Sequence, residues 1–464
     1  MSEHTTTQCV LFPGIFKRPV VAKFDQSQGS SDGGAVLLKA ADRDLGLIAS
    51  LAPCLKDDRQ GGKIRHELDD LLTQRIMAIA CGYEDANDAA RLASDPVHKL
   101  LVGRDPVEGE DLASQPTLSR FENSVGRKEL FRMGEALAGT VIERHRKRLH
   151  GRARLITIDL DPTDDPTHGA QQLSFFNWHY DSYCYLPVVG FLTFNQEPEQ
   201  YLVTAVLRPG KAPGSKGAVG ILRRLIERVR EAFPDAKIRV RLDGGFATPE
   251  VLYFLDCEPK VEYLVNFASN AVLERKAESA MKRVRRDSKI SGQTEHVYGE
   301  CQYRTRKTWP WKRRVIYKAE VVRAEGKKPK DNPRFVVTNM KQSPQWLYEE
   351  VYCQRGDLEN RIKELHYGME IGRTSCTNFW ANQFRVLMTA AAYVLMQELR
   401  SGLAGTASAR AQVSTLRERF IKIGAKVIAS ARRIVLHLPR SFPYLDSFHR
   451  LALHLGAAAG SFAP

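Results

Sequence analysis

From Gly33 onward, apolar residues recur every three or four positions: Ala35, Leu37, Leu38 and Ala41, then Leu45 to Leu51, until Pro53 ends the run. The same period returns over 63–81, with Leu68, Leu71, Leu72, Ile76 and Ile79 on one side and Gly82 as the stop. Short helices are predicted over 85–92 and 98–101. The turn Ser114-Gln115-Pro116-Thr117 leads into a helix over 118–124, and a long helix covers 127–148, ending in a basic run. Residues 1–30 carry no comparable pattern. Residues 1–150 are therefore predicted to be an all-helical domain with helix-turn-helix-like spacing, expected to bind DNA ends.

At Arg154 the period changes to two. Leu155-Ile156-Thr157-Ile158 reads as a strand running into Asp159-Leu160-Asp161, and 183–194 and 200–207 as a hairpin around Asn195-Gln196-Glu197-Pro198. A helix over 217–232 follows, then a strand over 237–242 ending at Asp243-Gly244-Gly245, a short helix over 249–255, and a strand over 261–267. Three antiparallel strands followed by crossover-linked parallel ones predict an α/β fold with a mixed sheet, in the order of a ribonuclease-H-like core. That core occupies 151–268 and resumes over 344–400. Between them, 269–343 reads as a basic β-strand insertion, with strands over 296–304, 313–322 and 335–338. Residues 401–464 read as a basic, mainly helical C-terminal region for DNA binding or dimerisation, with a strand-like stretch over 425–438.

Charge gives this layout a partner. The 464 residues carry a formal net charge of +15, which points to a polyanion, most often nucleic acid. The excess is concentrated: residues 276–330 hold 17 Lys/Arg against 6 Asp/Glu, and 400–450 hold 10 against 2. The eight cysteines are scattered, with no CxxC pair, which argues against a zinc finger or a disulfide framework. No signal peptide or long apolar span is read, so the expected compartment is the bacterial cytosol or nucleoid, with no membrane partner.

The candidate chemistry lies in three carboxylates. Asp161 follows the first core strand, and Asp243 ends the fourth, before two glycines that permit close approach. Glu359 belongs to a helix over 352–366 that places Tyr352, Arg355, Glu359, Lys363 and His366 on one face. Oxygen ligands on three separate elements suit two Mg²⁺ or Mn²⁺ ions, which can clamp the attacking and leaving oxygens of a phosphoryl displacement. Each aspartate alone would equally serve as a turn or helix cap.

Tyr352-x2-Arg355-x3-Glu359 resembles the Tyr-Arg-Glu-Lys signature of DDE transposases of bacterial insertion sequences. Asp161-x-Thr163 is similar to their first catalytic block, and Leu242-Asp243-Gly244-Gly245-Phe246 to their second. Glu359 to Leu365 and Ala381-Asn382-Gln383-Phe384-Arg385 resemble one branch of that group. The resemblance implies that Asp161, Asp243 and Glu359 hold two divalent metals, and that the protein cuts double-stranded DNA at element ends and joins the freed 3′-OH to target DNA, acting as a homodimer. It implies that Tyr352 and Arg355 grip phosphates near the cut. The family's final Lys falls at His366 in this chain, with Lys363 one turn earlier, so both become DNA-binding candidates. Asp159 competes with Asp161 as first ligand, because i and i+2 share a face of a strand; the Asp-x-Thr match favours Asp161. Trp309 and Trp311, in the basic insertion, are candidates to stack on a flipped base, against the plainer role of domain-core residues. The rival readings are a nuclease that cuts without joining, and an inactive DNA-binding descendant.

Overall fold

The computed structural model describes residues 9–305 and 308–459. Its centre is one mixed sheet, in which we number β1 (Leu155–Pro162), β2 (Val188–Phe194), β3 (Tyr201–Val206), β4 (Lys237–Leu242), β5 (Val261–Phe267), β6 (Glu295–Tyr303), β7 (Arg313–Val322) and β8 (Arg334–Thr338). The spatial order is β3-β2-β1-β4-β5-β8-β7-β6, with a two-residue strand, Lys330–Asp331, added to β7. β1, β4 and β5 are parallel; every other pairing is antiparallel. Ile156, Ile158 and Leu160 of β1 are fully buried, as are most residues of β2. Near-continuous apolar strands of this kind require cover on both faces.

Helices supply that cover. Along α1 (Leu68–Cys81), α2 (Arg127–Arg148), α3 (Ala218–Ala232), α4 (Pro249–Cys257), α5 (Ala271–Ser291), α6 (Gly356–Lys363) and α7 (Phe379–Gly402), the apolar positions face the core. In α7 every residue except Trp380 and Ser401 is buried. Two of its buried amides close the outer edge of the sheet. Gln383 accepts from Leu207 N–H and donates to the Ala205 carbonyl. Gln397 does the same for Leu202 N–H and the Gln200 carbonyl. An exposed sheet edge invites pairing with another chain; here side chains of a buried helix take those backbone groups.

Several expectations need correction. The insertion is not built of strands alone: it opens with the 21-residue α5, whose apolar stripe is Leu273, Ala277, Met281 and Val284. Its strands form no separate β domain, because β8 pairs antiparallel with β5 and extends the main sheet. The N-terminal region is not all-helical. Cys9–Phe12 pairs with Val20–Lys23, and Gly29–Ser30 pairs with Ala425–Ala429 of the tail, which itself forms a hairpin with Ile434–His437. The predicted strand over 183–194 is two strands. Ser182–Tyr185 belongs to a small sheet with Asp165–Pro166 and Phe175–Asn177. Pro187, which has no N–H to give a ladder, marks the break.

Candidate active site

The site forms where parallel strands end. Register pairs Arg241 of β4 with Asp159 of β1, and Leu242 with Leu160, so Asp161 and Asp243 come next, at one level, on adjacent strands. Ribbon geometry alone thus joins residues 82 positions apart in the chain. Asp243 remains partly exposed, and its Oδ1 accepts the Gly245 N–H at 3.0 Å, with Gly244 and Gly245 both open to solvent.

Asp161 is mostly enclosed. Its carboxyl is pushed up to about 6, chiefly by burial; Arg355 opposes the shift and the neighbouring Asp243 charge adds to it. Arg355 Nη2 donates to Asp161 Oδ1 at 2.6 Å. Burial works against the Arg355 charge, but Asp161, Tyr352 and Asp243 outweigh it and raise the guanidinium's pKa. Arg355 Nε is buried and has no hydrogen-bond partner among the described residues. The arginine expected to hold a phosphate is therefore turned to a carboxylate, with donor capacity unused.

Asp159 is fully buried, and both its oxygens are taken by Arg241, at 2.8 and 2.7 Å; Arg241 Nη1 also reaches the Val351 carbonyl at 2.9 Å. With both oxygens occupied and no exposure, Asp159 serves as the partner of a buried cation. Of the two competitors for first ligand, Asp161 is the accessible one.

The stretch carrying the remaining candidates is helical but irregular. Leu347–Tyr352 winds as a wide π turn, Cys353–Arg355 as a tight 3₁₀ turn, α6 is regular, and Glu364–Gly368 widens again. Such changes of winding are frequent at functional sites, and the expected common face divides along them. Tyr352 is half-buried beside Tyr348, with its phenol pushed up to about 12 by burial. Glu359 and Lys363 are exposed. His366 is half-buried, its Nε2 2.7 Å from Thr163 Oγ1. Burial lowers the His366 pKa, with Asp164 and Glu370 opposing. An imidazole held on a threonine and biased toward its neutral form is a poor phosphate clamp. Of the two candidates for the final position, Lys363 has the free reach and the charge.

The tryptophans separate as well. Trp309 is 4% exposed, packed on Phe267 and Tyr303 with the Arg313 guanidinium 4.5 Å over its ring. It offers no face to a base in this structure. Trp311 is 42% exposed, with its Nε1 donating to Asp256 at 3.1 Å.

Two residues near the carboxylates escaped the sequence reading. Tyr180 has its phenol pushed up to about 12, first by burial and then by Asp164, Asp161 and Asp243. Arg208 is lowered to about 10 by burial, against the pull of Tyr180 and Asp243. Arg208 donates to the carbonyls of Leu186, Pro213, Gly214 and Lys216, while its Nη2 is buried without a partner among the described residues. It fixes the loop whose Gly214 lies so close to Gly245 that an added Cβ would sit 2.9 Å from the Gly245 carbonyl oxygen. Alternating hydrophobicity gives no signal for either residue; both stand in loops.

Asp161, Asp243 and Glu359 do not converge tightly. Among the described residues, the group of three possible ligands lying within 4.8 Å of one another is Asp32, Cys81 and His98, all buried. That group stands apart from the strand ends, and Lys422 Nζ already lies 2.8 Å from Asp32. It ties the N-terminal segment to the tail by charge. The fit to a divalent ion therefore rests on Asp161 and Asp243, two hard oxygen donors whose mutual repulsion a cation would relieve.

Among the described residues, no helix is long and apolar enough to cross a membrane. Compared with curated proteins, the chain finds no match. The blocks that resemble the signature stand in order at the end of β1, after β4 and across the turns leading into α6, and over residues 12–459 the chain matches the family model described as transposase DDE domain, group 1; the chain belongs to that family.

Proposed function

We propose that this transposase-family chain cuts DNA at the ends of an insertion sequence and joins the resulting 3′-OH ends to target DNA. The observation that carries the reading is the pairing of Asp161 and Asp243 at one level on adjacent parallel strands, within a chain matched to the DDE family along nearly its whole length. The strand order β3-β2-β1-β4-β5 supports a ribonuclease-H-like core, with β6 to β8 as an extension of it.

Mg²⁺ or Mn²⁺, held by Asp161, Asp243 and Glu359, would supply charge for the developing phosphate oxygens and a more acidic water. The remaining work belongs to the chain. Glu359, exposed on α6, would be the third residue to hold the metal once that segment settled on DNA. Arg355 leaves Asp161 and turns its fork to a phosphate, a geometry to which guanidinium is suited. Lys363 binds the backbone beside it, and Thr163 orients His366. Arg208 keeps the 208–217 loop against the Asp243 turn. Joining two ends calls for two copies on DNA, so the working form is a homodimer.

The test is cleavage and joining of a labelled element-end duplex with Mg²⁺ or Mn²⁺. Glu359→Gln is expected to lower cleavage by about 10²–10³-fold or more while leaving duplex binding in place. Unchanged cleavage would remove Glu359 from the site. Cleavage by the wild type without joining of pre-cleaved ends would leave a nuclease.

A further inference from the structure

The β6–β7–β8 extension has two faces with different cover. Leu264, Ile316 and Val336 pack with Leu347, Tyr348 and Val351, in one apolar cluster. Val315, Tyr317, Ala319 and Val321 alternate to the other side and belong, with Leu273, Ala277, Met281 and Val284 of α5, to the main core. The catalytic carboxylates project to the first face. Arg241, paired in register with Leu264, reaches Val351 there and holds Asp159. Asp161 is two residues further on the same strand, bonded to Arg355. Helix α5 thus lies on the opposite face of the sheet from the site.

Its outer surface is strongly basic. Arg275, Lys276, Lys282, Arg283, Arg285, Arg286 and Lys289 are all exposed, against Glu274, Glu278 and Asp287. Arg283, Arg285 and Arg286 have acidic partners, whereas Lys276, Lys282 and Lys289 form no salt bridge among the described residues. Arg285 also bonds Asp331, which brings the exposed Lys327, Lys328 and Lys330 beside the helix. A 21-residue helix is about 31 Å long, roughly the rise of nine base pairs at 3.4 Å each. A solvated surface helix needs no such excess of one sign.

We propose that the exposed face of α5, with Lys327 to Lys330, holds by its phosphates a duplex DNA segment other than the one presented to Asp161 and Asp243. The proposal rests on the DNA reading above and adds a second segment to it. A sheet separates the two surfaces, so a single straight duplex cannot lie along both.

The experiment is a metal-free titration of the full chain with a 20-base-pair duplex, reading duplex equivalents per chain and the salt dependence of affinity. The wild type is expected to take two equivalents. The combined variant Lys276→Gln, Lys282→Gln, Lys289→Gln and Lys328→Gln is expected to lose one, with the summed slope of log affinity on log salt shallower by about 3–4, near 0.9 per lost contact. Lys363→Gln with Arg355→Ala is expected to weaken the other equivalent and spare the one that depends on α5. Lys237→Gln with Lys260→Gln, remote from both surfaces, serves as the unchanged control. Saturation of the wild type at one equivalent, or two equivalents with an unchanged slope in the α5 variant, overturns the proposal alone. No salt-dependent uptake by the wild type overturns the DNA reading and the proposal with it.

Discussion

Asp159 and Asp161 stand two residues apart on β1 and point to the same face of the sheet, and each is bonded to an arginine. Asp159 is enclosed on all sides, and Arg241 binds both its oxygens. Asp161 lies at the strand end, where Arg355 reaches one oxygen from a segment of irregular winding, and where a second carboxylate raises its pKa. The first pair is closed and compensated. The second has a guanidinium nitrogen without a partner among the described residues and a neighbour of like charge. The same residue types act as a strut in one place and stay incompletely paired in the proposed site one step along the strand. What differs is how completely each charge is answered.

Substitution separates the two most sharply. Asp161→Asn is expected to lower DNA cleavage by about 10²–10³-fold or more, with thermal unfolding unchanged or slightly later, since a neutral amide is spared the burial cost that raises the Asp161 carboxyl and still accepts from Arg355. Asp159→Ala is expected to act the other way: it strands Arg241 as a buried unpaired cation, at a cost of about 3–5 kcal/mol. Parallel unfolding and nicking assays check both. If the two variants failed alike in both assays, the distinction between strut and site would be lost.

The tryptophans repeat the contrast with apolar surface in place of charge. Trp309→Ala should cost about 3–5 kcal/mol, as for other large-to-small changes in a core. Trp311→Ala should leave unfolding within about 0.5 kcal/mol. A Trp309→Ala variant that unfolds like the wild type yet loses a strand step would reverse this and restore Trp309 as a base-stacking residue.

Much of this was legible before any coordinates. The change of period at Arg154 and the order of strands placed Asp161 and Asp243, because parallel register follows from the connections. The helix 127–148 was read with the bounds it has. What escaped has physical reasons. The period of Leu273, Ala277, Met281 and Val284 was present in α5, but the density of Lys and Arg around it drew the reading toward a β insertion with charged loops. The common face from Tyr352 to His366 assumed uniform winding, which the π and 3₁₀ turns do not keep. Tyr180 and Arg208 lie in loops, where neither period applies and only the folded chain brings them to the strand ends.

The shifted pKa of Asp161 gives the pairing a pH signature. Its carboxyl, near 6 in the fold, is ionised above that value and protonated below it, so a divalent ion must displace a proton at low pH. Mn²⁺ affinity without DNA should be flat above about pH 7 and fall about tenfold per unit below pH 6. In Asp243→Asn the like charge is gone, and the break should move to lower pH even as overall affinity drops. Titrations followed by electron paramagnetic resonance between pH 5 and 8 would show it. A break that stays in place would mean that burial alone raises Asp161.

Asp165 completes the series as a buried aspartate to which no cation is bonded among the described residues, Arg385 acting on it only at a distance. Its Oδ2 accepts from Thr374 at 2.8 Å, while its Oδ1 is buried without a partner among the described residues. Burial pushes it up to about 8, from 3.8. A carboxyl raised in this way favours folding fully below about pH 4, and that contribution is lost as pH rises toward 8. Asp165→Asn does not titrate. The variant should lie within about 1 kcal/mol of the wild type near pH 4.5 and exceed it at pH 8.5 by several kcal/mol, at about 1.4 kcal/mol per pH unit between the two pKa values. Urea unfolding at the two pH values measures it. A gap equal at both would show that Asp165 is ionised in the fold and answered by a partner, as Asp159 is by Arg241, which would remove the third member of the comparison.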